Sequence, residues 1–226
     1  MIRGLFVTGT DTGVGKTVVA AALVLALRQR GVKAVGFKPV ETGLGPEEPA
    51  DSMVLAEATG VDVDLLRPLL RLPEPLAPAV AAERAGVTLD PKAVESRIRA
   101  LRAAGYTLVV EGAGGLLVPL AWGYTALDLA KATGLEAVVV GRAGLGTLNQ
   151  VALTLEALAR RGVPVHGVAL NLRGDPPDLA EATNPAALAR LCPGVRLVVL
   201  PRVAAPVAPL DAARALVPLV DPLVAD

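Results

Sequence analysis

The nine residues Gly9–Thr17, Gly-Thr-Asp-Thr-Gly-Val-Gly-Lys-Thr, constrain this chain more than any other stretch. They follow the apolar run Leu5–Val7 and precede the Ala/Leu/Val-rich segment Val18–Leu27, so the local order is strand, glycine-rich turn, helix. Glycines let backbone N–H groups close around an anion, and the positive end of the new helix faces the same point. In such a turn Lys16 can reach β- and γ-phosphates, and Thr17 can offer its hydroxyl to Mg²⁺. The usual pattern has a glycine five residues before Gly15. Thr10 stands there instead and Gly9 lies one step earlier, which makes the loop a G-x5-G-K-T variant for a nucleoside triphosphate.

The rest of the chain repeats the strand–turn–helix order. Strands are expected at Gly4–Thr8, Ala34–Lys38, Thr107–Val110, Ala137–Val140, Val165–Leu170 and Arg196–Leu200. Helices are expected from the loop to Arg30, over Asp51–Thr59, Pro78–Arg84, Asp90–Ala104, Leu127–Ala132, Asn149–Arg161, Pro185–Leu191 and Asp211–Val217. Val40–Ala50 reads as a loop, and residues 61–90 are broken by prolines. Strands that are continuous apolar runs belong to a sheet covered on both faces. The expected fold is therefore α/β: a three-layer P-loop NTPase fold with a mostly parallel, doubly wound sheet, residues 1–226 forming one nucleotide-binding domain. In such sheets ligands sit beyond the carboxyl ends of the strands. Gly9–Thr17, Lys38–Gly43, Glu111–Gly115, Gly141–Thr147 and Asn171 all follow strands and should converge there.

Composition narrows the class. Basic and acidic residues balance at 22 each, and no basic run tracks a nucleic-acid backbone. The ten-residue apolar run Val18–Leu27 is too short for a bilayer, and Arg3 leads straight into the first strand, unlike a signal peptide. A single cysteine, Cys192, rules out an internal disulfide framework and points to a cytoplasmic setting. With one cysteine and one histidine, His166, the chain has no zinc or iron–sulfur set. Arginine is the default cation, and only five lysines occur. A lysine in a glycine- or proline-marked loop therefore stands out, as Lys16 and Lys38 do.

Three oxygen donors, Thr17, Asp51 and Glu111, are available to a phosphate-bound Mg²⁺. Asp51 reads equally as a helix N-cap. Glu111 ends the third strand among Gly112, Gly114 and Gly115, where an acid can meet such a metal. Lys38, before Pro39, can face a γ-phosphate from the side opposite Lys16. The helix after Gly144–Thr147 can receive a second anion such as a substrate carboxylate.

Together these stretches resemble dethiobiotin synthetase. The matching residues are Val7–Thr17 (V-T-G-T-D-T-G-V-G-K-T), Lys38–Gly43 (K-P-V-E-T-G), Val110–Gly115 (V-E-G-A-G-G) and Gly146–Asn149 (G-T-L-N). The resemblance covers most of the chain. It implies an ATP- and Mg²⁺-dependent ligase of biotin synthesis that joins CO₂ to 7,8-diaminononanoate. The route runs through a carbamate and a carbamic–phosphoric anhydride and releases dethiobiotin, ADP and phosphate. It implies that Thr12, Gly13, Val14, Gly15, Lys16 and Thr17 hold the phosphates, with Gly112, Ala113 and Gly114 beside the nucleotide. It also implies that Thr17, Asp51 and Glu111 hold Mg²⁺ and that Lys38 is the catalytic cation together with Lys16. Thr12 and Thr42 would touch the diamine or carbamate. Gly146, Thr147, Leu148 and Asn149 would receive its carboxylate across a homodimer interface. Asn171 would contact adenine, with Pro201, Arg202 and Val203 lining that pocket. Two departures stand out: Leu172 follows Asn171 where the family often has an acid, and the loop Leu44–Ala50 is short.

Two other readings share the loop. An amide ligase of the cobyrinate a,c-diamide synthetase type also has E-G-x-G-G, but usually carries a glutaminase domain with a catalytic cysteine. A dimeric switch ATPase that positions DNA or division machinery usually has a second lysine near the start of the loop, where Thr10 and Asp11 stand here.

Overall fold

The structure, a computed structural model, describes residues 4–44, 50–61, 63–202, 209–221 and 224. Strand β1 (Gly4–Gly9) passes through the glycine loop into α1 (Lys16–Gln29). Then follow β2 (Ala34–Phe37), β3 (Val40–Thr42), α2 (Asp51–Thr59), a 3₁₀ turn at Val63–Leu66, β4 (Leu70–Leu72), α3 (Pro78–Arg84) and α4 (Pro91–Ala103). The chain continues with β5 (Thr107–Gly115), β6 (Pro119–Ala121), β7 (Tyr124–Thr125), α5 (Ala126–Thr133), β8 (Glu136–Arg142) and α6 (Thr147–Arg160). It closes with β9 (Val165–Asn171), α7 (Leu179–Leu191), β10 (Leu197–Leu200) and α8 (Pro209–Val220).

Among the described residues, the central sheet runs β10-β9-β8-β1-β5-β2, and every pairing in it is parallel. The chain fills one side of β1 with β2 and β5, then crosses to the other side with β8. That reversal beside β1 opens a crevice at the strands' carboxyl ends, where the glycine loop sits.

Side chains alternate across the sheet. Leu5 and Val7 pack with α1, α2 and α8 on one face, while Phe6 packs with α4, α5, α6 and α7 on the other. Val138 and Val139 split in the same way. Both faces are covered, so apolar residues fill both positions of the period, and the strands read as unbroken apolar runs. Phe6 is fully buried in its layer. Cutting it to alanine removes about 3–5 kcal/mol by the usual transfer-plus-cavity cost.

The observed boundaries differ from the expected ones in informative ways. Val40–Ala50 is not all loop, because Val40–Thr42 pairs in parallel with Leu70–Leu72. Three-residue strands behind a proline carry too little pattern to be read. β5 runs on to Gly115, since its ladder with β1 continues past Val7↔Glu111 to Gly9↔Gly115. Backbone pairing holds that end, where glycines leave no side-chain pattern. α6 starts at Thr147, with left-handed Gly146 as its N-cap. α7 starts at Leu179, six residues before Pro185, because Asp178 and Glu181 form a capping box. The hairpin β6–β7 also lies outside the expected elements. No helix among the described residues is long and apolar enough to cross a membrane.

Candidate active site

The loop closes because its glycines adopt left-handed backbone, with φ of 67° at Gly13 and 94° at Gly15. Gly15 is the N-cap of α1, so the first turn of the helix opens into the crevice. Space also forbids a side chain at this position, since a Cβ there would lie 2.5 Å from Asn171 Nδ2. Asn171, at the end of β9, donates to the Val14 carbonyl at 2.6 Å and locks β9 to the loop. Lys16 is buried and donates across the loop to the Asp11 carbonyl at 3.0 Å.

Behind the loop lies a buried charged cluster. Lys38 Nζ donates to Glu111 Oε1 at 2.6 Å, to Asp51 Oδ2 at 2.8 Å and to the Gly112 carbonyl at 3.3 Å. The Thr17 hydroxyl lies 2.7 Å from Asp51 Oδ1 and 3.1 Å from Glu111 Oε1. Four segments converge: the residue after β2, the start of α1, the start of α2 and the interior of β5. Glu111 was expected at a strand end but lies within β5, opposite Val7 in register. Its second oxygen is buried without a hydrogen-bond partner among the described residues.

Burial and charge compete at each group. Burial alone would depress the Lys38 ammonium, but Glu111 and Asp51 outweigh it and hold its pKa above the ordinary lysine range. Burial pushes Asp51 up, yet Lys38 and the Thr17 hydroxyl bring it below the usual range. At Glu111 burial wins over Lys38, with the charge of Asp51 adding to it, and the carboxyl is pushed up. Lys16 is pushed down by burial and by the charge of Lys38, against the pull of Glu111 and Asp51.

These residues fit a divalent cation of the hard, oxygen-seeking kind. No group of three His, Cys, Asp or Glu gathers anywhere among the described residues. Two carboxylates and a hydroxyl suit Mg²⁺, which takes its remaining ligands from phosphate and water. The unpartnered buried oxygen of Glu111 is the kind of acceptor such an ion satisfies.

A cavity of about 860 Å³ opens over this cluster, lined among others by Thr12, Lys16, Lys38, Thr42, Asp51 and Glu111. Ala113 and Gly114 line it as well, while Gly112 takes part through its carbonyl. A second cavity of about 470 Å³ shares Gly13, Gly15 and Val18 with the first. It is lined by Val14, Asn171, Leu172, Pro201 and Arg202, with Leu216 of α8 as a wall. Val203 lies outside the described residues. Gly146, Thr147, Leu148 and Asn149 line neither cavity. Thr147 is buried with a hydroxyl that has no hydrogen-bond partner among the described residues, while Asn149 is exposed.

Two contributors were not read from the sequence. Arg142 donates to the Thr12 carbonyl at 3.2 Å from the end of β8. Glu41, buried beside Thr42, accepts from Ser52 N at 2.6 Å and Ser52 Oγ at 2.8 Å. It thereby caps α2, whose own N-cap is Ala50 and offers no side-chain acceptor. The only sequence signal for Glu41 is an acid between Val40 and Thr42, in the short stretch that forms β3.

Residues 3–209 match the AAA domain family AAA_26. The chain is 50% identical over 202 residues to the ATP-dependent dethiobiotin synthetase BioD of Anaeromyxobacter dehalogenans strain 2CP-C, covering 88% of this chain and 90% of that one. The chain belongs to the dethiobiotin synthetase family. A second dethiobiotin synthetase relative, from Mycobacterium sp. strain JLS, is 45% identical over 221 residues and covers 96% of both chains. Among solved structures, the septum site-determining protein MinD of Pyrococcus horikoshii OT3, complexed with Mg-ADP, superposes with a TM-score of 0.63 over 99% of this chain and 94% of that one. At 20% identity that likeness speaks to the P-loop fold alone.

Proposed function

We propose that this dethiobiotin synthetase family member uses ATP to close a cyclic urea on 7,8-diaminononanoate with CO₂, yielding dethiobiotin, ADP and phosphate for biotin synthesis. The observation that carries the reading is Lys38, a buried ammonium held on Glu111 and Asp51 in the cavity it shares with Lys16. A site that transfers a phosphoryl group to an anionic acceptor needs cations on both sides of the reacting oxygens and no protein nucleophile.

The chemistry follows from that placement. One amine of the substrate adds to CO₂ and becomes a carbamate. A carbamate oxygen attacks the γ-phosphorus and ADP leaves. The second amine then attacks the carbamate carbon, the ring closes, and phosphate departs with that oxygen. The loop from Thr12 to Thr17 holds the phosphates, Lys16 and Lys38 neutralise charge as it moves, and Thr12 and Thr42 orient the acceptor. Holding the two reactants in line supplies much of the acceleration. Thr17, Asp51 and Glu111 would hold Mg²⁺, which when bound neutralises phosphate charge. Asn171 with Pro201 and Arg202 takes the adenine. We place the substrate carboxylate at Gly146–Asn149 of a second copy, since these residues line neither cavity of their own chain. Leu145 beside them is 95% exposed and Leu153 on the same helix is 57% exposed, which supports a second copy covering this face.

The test is product analysis with the diamine, carbon-labelled bicarbonate and Mg·ATP. The expected result is label in the cyclic urea with one ADP formed per ring. ATP hydrolysis that is independent of the diamine, with no labelled urea, would overturn the reading.

A further inference from the structure

α7 contributes no residue to either cavity, yet it carries two buried polar side chains one turn apart, Glu181 and Asn184. At i and i+3 they share one face of the helix. Their partners belong to the two loops that leave the sheet after β9 and after β8.

Glu181 serves the base side. Its Oε1 accepts from Arg173 N at 2.5 Å, and its Oε2 accepts from Gly174 N at 3.0 Å and Asp178 N at 3.2 Å. Arg173 lines the 470 Å³ cavity together with Asn171 and Leu172. The turn is tight here, since a Cβ on Gly174 would lie 2.7 Å from the Pro176 carbonyl oxygen and 2.8 Å from Glu181 Oε2. Backbone donors hold Glu181 below the usual carboxylate range, so it is an anion that fixes the direction of three N–H groups.

Asn184 serves the other loop. Its Nδ2 donates to the carbonyls of Ala143 and Gly144, both at 2.8 Å. Both amide protons are used. The Gly144 carbonyl also accepts from Thr147 N at 3.2 Å, at the start of α6. The two loops meet where Ala143 N donates to the Asn171 carbonyl at 2.9 Å.

We infer that α7 is a brace whose Glu181 and Asn184 are positioning residues for two different ligands. Glu181 sets the Arg173 edge of the nucleotide-base pocket. Asn184 sets the turn that presents Gly146–Asn149 to the substrate carboxylate. A helix anchored only by its apolar face could slide or rock. Two polar anchors of opposite kind, one accepting and one donating, fix where each loop begins. The Asn184 half rests on the carboxylate assignment of the proposed function, whereas the Glu181 half needs only that the 470 Å³ cavity takes the base.

The two halves predict separable losses. Glu181→Ala should weaken calorimetric affinity for a non-hydrolysable ATP analogue on the order of tenfold, leaving the KM for the diamine within about twofold. Asn184→Ala should raise the KM for the diamine on the order of tenfold and leave analogue affinity within about twofold. Thermal unfolding shows which variants are folded. Should an alanine variant not fold, Glu181→Gln and Asn184→Gln replace it and should show the same split at smaller size. Parallel loss of both parameters in both variants, or no loss in either, overturns the brace. Wild-type protein that binds the analogue but makes no cyclic urea refutes the proposed function. In that case the Glu181 arm still decides the brace, and unchanged analogue affinity overturns it.

Discussion

Replacing Lys38 with methionine tests the charged cluster most severely, because it removes the ammonium while keeping the stem. Glu111 is 1% exposed and Lys38 is 5% exposed, so Glu111 cannot recover its lost partner by rehydration. Asp51 is 42% exposed and can. Breaking a buried pair costs about 3–5 kcal/mol, and the rehydration of Asp51 sets the expectation at the low end, about 3 kcal/mol. For a chain of this length each kcal/mol moves the midpoint by about 2–4 °C, so Tm should fall by about 6–12 °C in Mg²⁺-free buffer at pH 7.

The pH dependence has a definite sign. Burial already raises the Glu111 pKa above its ordinary 4.5, and losing Lys38 raises it further. A carboxyl raised in the folded state destabilises the protein as pH climbs from the unfolded value through the folded one. The deficit of Lys38→Met should therefore be small near pH 4 and grow toward neutrality. Turnover should fall by about 10²–10³-fold, the usual cost of losing one preorganised donor to developing charge. Affinity for an ATP analogue should stay within about threefold, since Lys16 and the loop remain. Differential scanning calorimetry across pH 4–8 and a coupled ADP assay make the measurements. A variant that melts within about 2 °C of wild type at pH 7 and turns over within a few-fold would refute the reasoning.

Three further outcomes are expected. Gly15→Ala forces a Cβ into left-handed backbone, at a cost of about 1–2 kcal/mol, and against Asn171, so ATP-analogue affinity should fall more than about 100-fold. Unchanged calorimetric affinity would contradict the loop's geometry. Glu41→Ala removes the distant cap of α2 and should cost about 0.5–2 kcal/mol in urea unfolding, with an increased Mg²⁺ requirement because Asp51 begins that helix. Full stability and an unaltered Mg²⁺ requirement would show that the cap is idle. Chelation should stop turnover and Mg²⁺ should restore it. In Glu111→Gln the Mg²⁺ needed for half-maximal analogue binding should rise on the order of tenfold or more, and an unchanged requirement would remove Glu111 from the ion's ligands.

The readable parts of this protein were those whose physics is local. Gly9–Thr17 announces strand, anion turn and helix within one stretch, and the structure folds it so. Lys38 and Glu111 were legible because each follows an apolar strand and sits beside glycine or proline. Strand order in a parallel sheet then brings them together, with Nζ 2.6 Å from Oε1. Asp51, which composition alone could not separate from an N-cap, occupies the first turn of α2 and points its carboxylate at Thr17. What stayed hidden depends on partners distant in sequence. Glu41 caps a helix ten residues away, and β3 pairs with a strand that begins at Leu70. In the sequence Glu181 and Asn184 read as polar residues ahead of a helix expected to begin at Pro185. Only the packing of α7 against the sheet edge turns them toward the site loops. Gly146–Asn149 were legible as a glycine-led helix start, and a single chain leaves them outside both cavities.

The measurement that bears most directly on the account is the fate of oxygen from CO₂. If a carbamate oxygen attacks the γ-phosphorus, oxygen-18 supplied as labelled bicarbonate must leave in the released phosphate, one atom per ring closed. The reaction is quenched before the label exchanges with water, and the phosphate is read by mass spectrometry or by the phosphorus-31 isotope shift. Singly labelled phosphate formed in step with the cyclic urea is the predicted result. Unlabelled phosphate alongside labelled urea would contradict the carbamic–phosphoric anhydride and the role given to Lys38.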